Sequence, residues 1–81
     1  MVSVVVRVVD YNTGRPVGGA LVRVGGSTAV TDAMGRAMLD VPAGSYVIRV
    51  SRSGYRLTEE YVSITGPSEV TVRLIPSVRI L

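Results

Sequence analysis

Catalytic side chains are scarce in this sequence of 81 residues, which contains no His and no Cys. Its nine basic residues are all Arg, and no Lys is present. The Ser and Thr hydroxyls therefore have no evident group to activate them as nucleophiles. Glu59 and Glu60 could form a carboxylate pair, but neighbouring residues of a strand point to opposite faces of the sheet. We predict no catalytic residue, and a solvated strand edge at the two glutamates.

Calcium is the metal that would suit this sequence best, because the chain offers oxygen ligands alone. The candidate ligands are Asp10, Asn12 and Asp32, which lie on two separate predicted turns and match no recognised calcium loop. Asp and Asn are common in turns, where their side chains accept hydrogen bonds from backbone N–H groups. Turn capping is the favoured interpretation, and neither a metal nor a cofactor is expected.

Four arginines occupy strand positions that alternate away from the predicted core: Arg7, Arg23, Arg49 and Arg73. If their strands share one sheet, they form a basic face that could meet phosphates or an acidic protein. Binders of single-stranded nucleic acid add aromatic stacking platforms to such a face, and Tyr11 and Tyr61 are the candidates for that role. The favoured alternative is that the arginine stems cover a solvated face and their guanidinium groups pair with glutamates. A nucleic-acid partner is therefore not expected.

Outward-facing apolar residues suggest a different kind of surface: Val5, Val9, Leu21, Val47 and Ile75. Grouped on one sheet, they would form a patch of the kind that marks a docking surface. Strand propensity alone explains them equally well, since β-branched residues favour strands wherever they face. The predicted interaction face consists of Val5, Arg7, Val9, Leu21 and Arg23.

Strands are the elements that must position these side chains, because the apolar residues alternate with a period of two. The sequence predicts strands at residues 1–10, 20–24, 28–31, 36–41, 46–51, 57–65 and 69–75. Seventeen valines favour this assignment, and no helical periodicity competes with it. We predict an all-β, seven- or eight-stranded antiparallel Greek-key β-sandwich, formed by a single domain over residues 1–81. Residues 76–81 form either an extra strand or a tail.

The predicted turns contain residues that turns require. Asp32 and Gly35 suit a tight turn, because Asp caps backbone N–H groups and Gly adopts positive φ. Pro42 and Gly44 form the next turn, and Gly54 ends the strand that follows. We expect the ring of Tyr55 to cover the edge of the core while its hydroxyl finds a hydrogen-bond partner.

The order of these turn motifs resembles that of a known family. The motifs are Gly14-Arg15-Pro16-Val17, Gly19-Ala20, Thr31-Asp32 with Gly35, Pro42-Ala43-Gly44 with Tyr46, and Gly54-Tyr55. Together they cover the chain from Val4 to about Leu74 and resemble the carboxypeptidase regulatory-like domain, a transthyretin-like (prealbumin-like) β-sandwich. The resemblance implies a non-catalytic accessory domain, often in secreted or surface proteins, beside an enzyme or an adhesin. It also implies an extracellular or cell-surface location.

We therefore expect a non-enzymatic interaction module that packs against a neighbouring domain, a second copy or a partner protein. The alternative is a carbohydrate-binding module that uses Tyr11 or Tyr61. No apolar run reaches the ~18 residues of a membrane helix, so membrane insertion is not expected. The N-terminus lacks a signal-peptide pattern, which indicates either an intracellular protein or, as the resemblance favours, a domain from a longer chain. Finally, we expect another chain or domain to cover either the surface around Val5, Val9 and Leu21 or the apolar segment 78–81.

Overall fold

The computed structural model describes residues 1–77, and this part of the chain folds into seven strands. The strands are β1 (Val2–Asp10), β2 (Leu21–Val24), β3 (Ser27–Val30), β4 (Arg36–Val41), β5 (Gly44–Ser51), β6 (Thr58–Ile64) and β7 (Ser68–Leu74). Each strand begins and ends within two residues of the bounds that the sequence predicts. Among residues 1–77 there is no helix long and apolar enough to cross a membrane.

The strands form two sheets, which confirms the predicted all-β sandwich. One sheet has three strands in the order β4-β1-β7, and the other has four in the order β3-β2-β5-β6. The two sheets approach each other along two sides of the sandwich, where β3 lies near β4 and β6 lies near β7. We call the side between β3 and β4 the β3–β4 edge.

The pairing of β1 with β7 differs from the predicted antiparallel arrangement. β1 pairs antiparallel with β4, as Val5 opposite Met38 illustrates, but it pairs parallel with β7, where Val6 lies opposite Val70. A parallel pair needs a long crossover connection. Here the chain forms β4 and all four strands of the second sheet between β1 and β7. No short turn joins the two strands, so turn chemistry could not reveal their direction.

The core consists of aliphatic side chains that alternate inward from both sheets, as the sequence predicts. β1 contributes Val4, Val6 and Val8, and none of the three is exposed to solvent. The other buried members are Val17, Ala20, Val22, Val24, Ala37, Leu39, Val41, Ile48, Val50, Ile64, Val72 and Leu74. A fully buried side chain of this type contributes about 1.5–3 kcal/mol relative to an exposed one. Burial of the valine-rich strands is therefore the main favourable contribution to folding.

At its C-terminal end, the structure describes the chain as far as Ser77. Pro76 forms an isolated antiparallel bridge with Tyr55, and the Ser77 N–H donates to the Gly54 carbonyl at 2.9 Å. Residues 76–77 therefore lie beside the connection between β5 and β6. The predicted extra strand or tail at 76–81 otherwise lies outside the described residues, as does the apolar segment 78–81.

Candidate functional site

The predicted interaction face is divided between the two outer faces of the sandwich. Val5, Arg7 and Val9 belong to β1 and lie on the outer face of the three-stranded sheet. Leu21 and Arg23 belong to β2 and lie on the outer face of the four-stranded sheet. The structure thus places these five residues on opposite sides of the molecule, and the prediction that they form one face is wrong. Alternation assigned each residue correctly to an outer face, but it carries no information about which sheet a strand joins.

The four outward arginines are divided in the same way. Arg7 and Arg73 lie on the three-stranded sheet, whereas Arg23 and Arg49 are direct cross-strand neighbours on the four-stranded sheet. Arg49 donates to Glu59 Oε2 through Nε at 3.0 Å and through Nη2 at 2.8 Å. This ion pair is exposed to solvent on both sides, so it contributes little to stability. The four arginines therefore do not form the single basic face that the sequence suggested.

A groove along the β3–β4 edge collects exposed apolar side chains from both sheets. We call it the methionine groove, and its apolar lining consists of Val5, Ala29, Val30, Met34, Ala37 and Met38. Relative exposure is 71% for Met38, 60% for Met34 and 61% for Val30. Val30 also pairs with exposed Leu21 on the next strand. Exposed apolar side chains therefore form a continuous surface around this edge, from the outer face of one sheet to the outer face of the other.

Sequence reasoning missed the methionines because they stand among polar residues. Met38 lies between Arg36 and Asp40 on the outward face of β4, and Met34 lies in the turn before that strand. A large flexible apolar side chain on an otherwise charged strand face was the available signal, because methionine is over-represented at adaptable binding surfaces. Only the approach of β3 to β4 shows that the two methionines share a groove with Val5 and Val30.

The turn before β4 is held by the side chain and backbone of Asp32. Its Oδ1 accepts hydrogen bonds from the N–H groups of Met34 at 2.9 Å and Arg36 at 3.0 Å. Gly35 adopts φ +77°, and its carbonyl accepts a hydrogen bond from the Val8 N–H at 2.7 Å. The turn therefore orients Met34 at one end of the methionine groove and fixes the start of β4 against β1.

A second polar contact joins the end of β1 to the connection between β5 and β6. The Tyr55 hydroxyl donates to Asp10 Oδ2 at 2.8 Å, while the partly buried Tyr55 ring packs against the core. The geometry matches the expectation for Tyr55. The Tyr55 hydrogen bond, with backbone N–H bonds from Thr13 and Asn12, lowers the pKa of Asp10. The same contact and desolvation raise the pKa of the Tyr55 hydroxyl.

The Pro42–Gly44 turn is organised by an aromatic ring. The Tyr46 hydroxyl donates to the Pro42 carbonyl at 2.6 Å, and the Tyr46 ring lies over Gly44 within van der Waals distance of where a Cβ would stand. Gly44 itself begins β5 and pairs with Ile64. A Cβ at Gly44 would make only ordinary contact with this ring, whereas a Cβ at Gly25 would stand 2.9 Å from Tyr46 Cε1.

The carboxylates considered for chemistry serve turns or pair with arginine. Asp10 Oδ1 accepts the N–H groups of Asn12 at 2.8 Å and Thr13 at 3.0 Å, so Asp10 caps its turn as Asp32 does. No group of three acidic residues, or of acidic residues with His or Cys, could hold a metal ion within residues 1–77. The side chains of Glu59 and Glu60 point in different directions. Glu59 forms a salt bridge with Arg49, while Glu60 lines a groove with Tyr11 and Arg73.

The most exposed tyrosine lies on the four-stranded sheet. Tyr61 is 87% exposed and stands opposite Val47, beside the opposed pair Ser45 and Ser63. Tyr11 lies elsewhere, in the groove near β6 and β7 with Ile75 and Arg73. The two candidate stacking residues therefore do not form one platform.

Comparison with known proteins finds similar chains at the level of both sequence and structure. The family model described as carboxypeptidase regulatory-like domain matches residues 3–75. S-layer protein B of Metallosphaera sedula is 34% identical over 62 residues, which amount to 75% of this chain and 15% of that protein. A chain in a type II Cohesin-X-Dockerin complex from Acetivibrio cellulolyticus is similar with a TM-score of 0.73 and 27% identity. That similarity covers 88% of this chain and 52% of the other.

A third similarity concerns the fold alone. The 5-hydroxyisourate hydrolase of Klebsiella pneumoniae has a TM-score of 0.64 at 21% identity, over 96% of this chain and 93% of that chain. The hydrolase has the transthyretin-like fold, so the predicted fold class is confirmed. This chain spans about half of the Cohesin-X-Dockerin chain and a much smaller part of the S-layer protein.

Proposed function

This chain belongs to the carboxypeptidase regulatory-like domain family, and we propose that it serves as a non-enzymatic module that a neighbouring domain covers. The methionine groove is the observation that carries this proposal. Its two methionines and Val30 are each at least 60% exposed, and a contiguous apolar surface of this kind marks an interaction site. Methionine adapts its shape to a partner because its side chain is unbranched and polarizable.

The relatives favour a neighbouring domain as the partner. In the S-layer protein and in the Cohesin-X-Dockerin chain, the similar region is accompanied by further polypeptide, since this chain covers 15% and 52% of them. A domain attached to the same polypeptide stays at high effective concentration, so a groove of modest area is enough to hold it. The same similarity supports our proposal that the module acts at the cell surface or outside the cell.

Methionine oxidation gives a direct test, because the chain contains its own control. Met1 is 83% exposed and lies outside the groove. In the isolated 81-residue chain, dilute hydrogen peroxide should oxidise Met34 and Met38 about as fast as Met1. In the protein as its own cells make it, both groove methionines should oxidise several-fold more slowly than in the isolated chain. Equal rates in the two preparations would show that nothing covers the groove, and the proposal would fail.

A pair of variants separates the possible partners. Met38→Glu should leave the unfolding of the isolated chain nearly unchanged but should restore rapid oxidation of Met34 in the cellular protein. Thr65→Glu adds the same charge to an exposed position in the connection between β6 and β7, and it should change neither property. Protection that appears in the isolated chain at high concentration would identify a second copy as the partner instead of a neighbouring domain.

Carbohydrate binding is the second candidate, favoured by Tyr61. An 87% exposed aromatic ring beside Val47 and next to the opposed serines Ser45 and Ser63 offers an apolar face and hydrogen-bonding groups. Binding to a glycan array that Tyr61→Ala abolishes and Tyr11→Ala preserves would favour this function over the first. Catalytic turnover of any substrate by the 81-residue chain would contradict both.

A further inference from the structure

The backbone of β4 presents an open edge beside the methionine groove. On its other side β4 pairs with β1, whose even-numbered residues direct their peptide groups toward β4, as the Val8 N–H to Gly35 carbonyl bond shows. With Ala37 opposite Val6 and Leu39 opposite Val4, the peptide groups of Ala37 and Leu39 therefore point to β1. Those of Arg36, Met38 and Asp40 point away from β1, because direction alternates along an antiparallel ladder.

Two of these three outward peptide groups already have partners. The Arg36 N–H donates to Asp32 Oδ1 and the Arg36 carbonyl accepts from the Asp32 N–H at 2.9 Å. The Asp40 carbonyl accepts from Ser27 Oγ at 3.3 Å. Within the described part of the chain, the Met38 peptide group has no such partner on the open edge. Unpaired strand edges bind further strands, and the unpaired part of this edge is the Met38 peptide group, between the partnered positions at Arg36 and Asp40.

The side chains around Met38 leave room for an alternating sequence. Ala29 and Ala37 line the groove from the two sheets, and their small size leaves a gap where the sheets approach. Met34, Met38 and Val30 flank that gap. An extended segment beside β4 would direct one side chain toward the two alanines and the next along the methionines, since successive strand residues point to opposite faces.

Charge at the groove indicates what else this segment carries. Arg36 lies directly opposite Arg7 in the β1–β4 ladder, and like charges in that position repel each other. On the other sheet the equivalent pair, Arg23 and Arg49, has Glu59 beside it. No salt bridge to Arg7 or Arg36 occurs among the residues that the structure describes. A carboxylate supplied by a partner would relieve this repulsion.

We propose that the methionine groove binds an extended segment of the partner, which forms backbone hydrogen bonds with β4 at Met38. The segment pairs through its backbone with Met38, places apolar side chains at alternate positions and presents an Asp or Glu to Arg7 and Arg36. The inference rests on the proposed function, because it describes how the covering domain makes contact.

Amide exchange tests the open edge without any variant. In the isolated chain the Met38 amide should exchange with solvent deuterium as fast as an unstructured amide, while the Leu39 amide exchanges slowly. Equal protection of Met38 and Leu39 would show that the edge is closed and would overturn the inference.

A peptide selection then tests strand addition. Random dodecapeptides displayed on phage are selected on the 81-residue chain, and the recovered peptides are titrated against Met38→Ala and Met38→Pro. Both variants remove the methionine side chain, but proline alone removes the N–H that faces the open edge, a position where edge strands tolerate it. Unfolding curves confirm that both variants fold. Peptides with alternating apolar residues and an acidic residue should bind the proline variant about tenfold more weakly than the alanine variant, and should slow exchange of the wild-type Met38 amide.

The other outcomes are equally decisive. Recovery of no peptide, or of peptides that bind the two variants equally, would reject strand addition. If the groove methionines are nevertheless protected from oxidation in the cellular protein, the partner contacts side chains alone, and the proposed function stands without this inference. If the groove methionines are not protected from oxidation in the cellular protein, both this inference and the proposed function are rejected.

Discussion

Two turns of this molecule share their local chemistry and differ in what surrounds them. In the Asp32–Gly35 turn the Gly35 N–H donates to the Asp32 carbonyl at 2.9 Å, and in the Arg52–Tyr55 turn the Tyr55 N–H donates to the Arg52 carbonyl at 3.0 Å. Each contains a glycine with positive φ, +77° at Gly35 and +87° at Gly54. A Cβ on Gly35 would stand 2.5 Å from the Val8 carbonyl oxygen, whereas a Cβ on Gly54 would meet nothing within 4 Å.

The difference shows two separate reasons why a turn with positive φ needs glycine. At Gly54 the requirement is local, because an L-residue is strained in the left-handed region wherever it occurs. At Gly35 the strand β1 adds a tertiary requirement, since its backbone occupies the space that any side chain would need. The same φ value therefore predicts different sensitivities to substitution.

The largest expected effect comes from placing alanine in each turn. Gly35→Ala should lower the free energy of unfolding by about 3 kcal/mol, because left-handed strain is added to a backbone clash. Gly54→Ala should cost about 1–2 kcal/mol from strain alone. Urea denaturation of both variants measures the difference. Equal losses would mean that β1 moves aside at no cost and that the two turns are energetically alike.

Removing the cap of the first turn should have a smaller effect. Asp32→Ala leaves the N–H groups of Met34 and Arg36 without their Oδ1 acceptor, which should cost about 1–2 kcal/mol. Asp32→Asn keeps an acceptor at this position and should retain most of the stability. Thermal unfolding of the two variants side by side checks this, and an alanine variant as stable as the asparagine variant would contradict the capping role.

The second turn depends on a side-chain contact instead. Tyr55→Phe keeps the ring against the core but removes the hydroxyl that donates to Asp10 Oδ2. We expect a loss of about 1 kcal/mol in urea denaturation at neutral pH. Tyr11→Phe is the matched control, because exposed Tyr11 makes no side-chain hydrogen bond among the contacts of the described residues, and it should leave stability unchanged. A loss of the same size in both variants would assign the effect to the phenol group in general.

The smallest expected effect is a dependence of this contact on pH. The folded-state pKa of Asp10 lies below its ordinary value of 3.8, so the unfolded chain binds more protons, and the stabilisation is lost as pH falls below about 4. The pKa of Tyr55 lies above its ordinary value of 10.0, so its contribution is complete below pH 10 and is lost at more alkaline pH. The stability difference between wild type and Tyr55→Phe should be constant from about pH 5 to 9 and shrink at both extremes. A difference that is independent of pH down to 3 would show that the Asp10 charge is not involved.

Much of the fold could be predicted because strands and turns follow from local chemistry. The residues of β4 match the predicted strand from Arg36 to Val41, and Val4, Val6 and Val8 are buried as the alternation indicates. Asp32, Gly35 and Tyr55 occupy the structural positions that their residue types predict. These features depend on a few neighbouring residues, whose sizes and hydrogen-bonding groups are visible in the sequence.

The candidate site was predictable only in part. Val5 belongs to the methionine groove, and the sequence correctly identified it as an outward apolar residue. Met34 and Met38 were missed, because each stands alone among polar residues in the sequence. Only the tertiary structure shows that the two side chains lie in one groove. Leu21 was grouped with Val5 although the two strands lie in different sheets.

The sequence by itself determined which residues form strands, which face of each strand is apolar, and where the chain turns. The tertiary structure alone decided which sheet each strand joins, that β7 runs parallel to β1, and that β3 approaches β4 closely enough to form a groove. The physical reason is that a two-residue period specifies the direction of side chains, whereas the choice of neighbouring strand depends on how all the apolar faces are buried together. The methionine groove and the open edge of β4 arise from that choice.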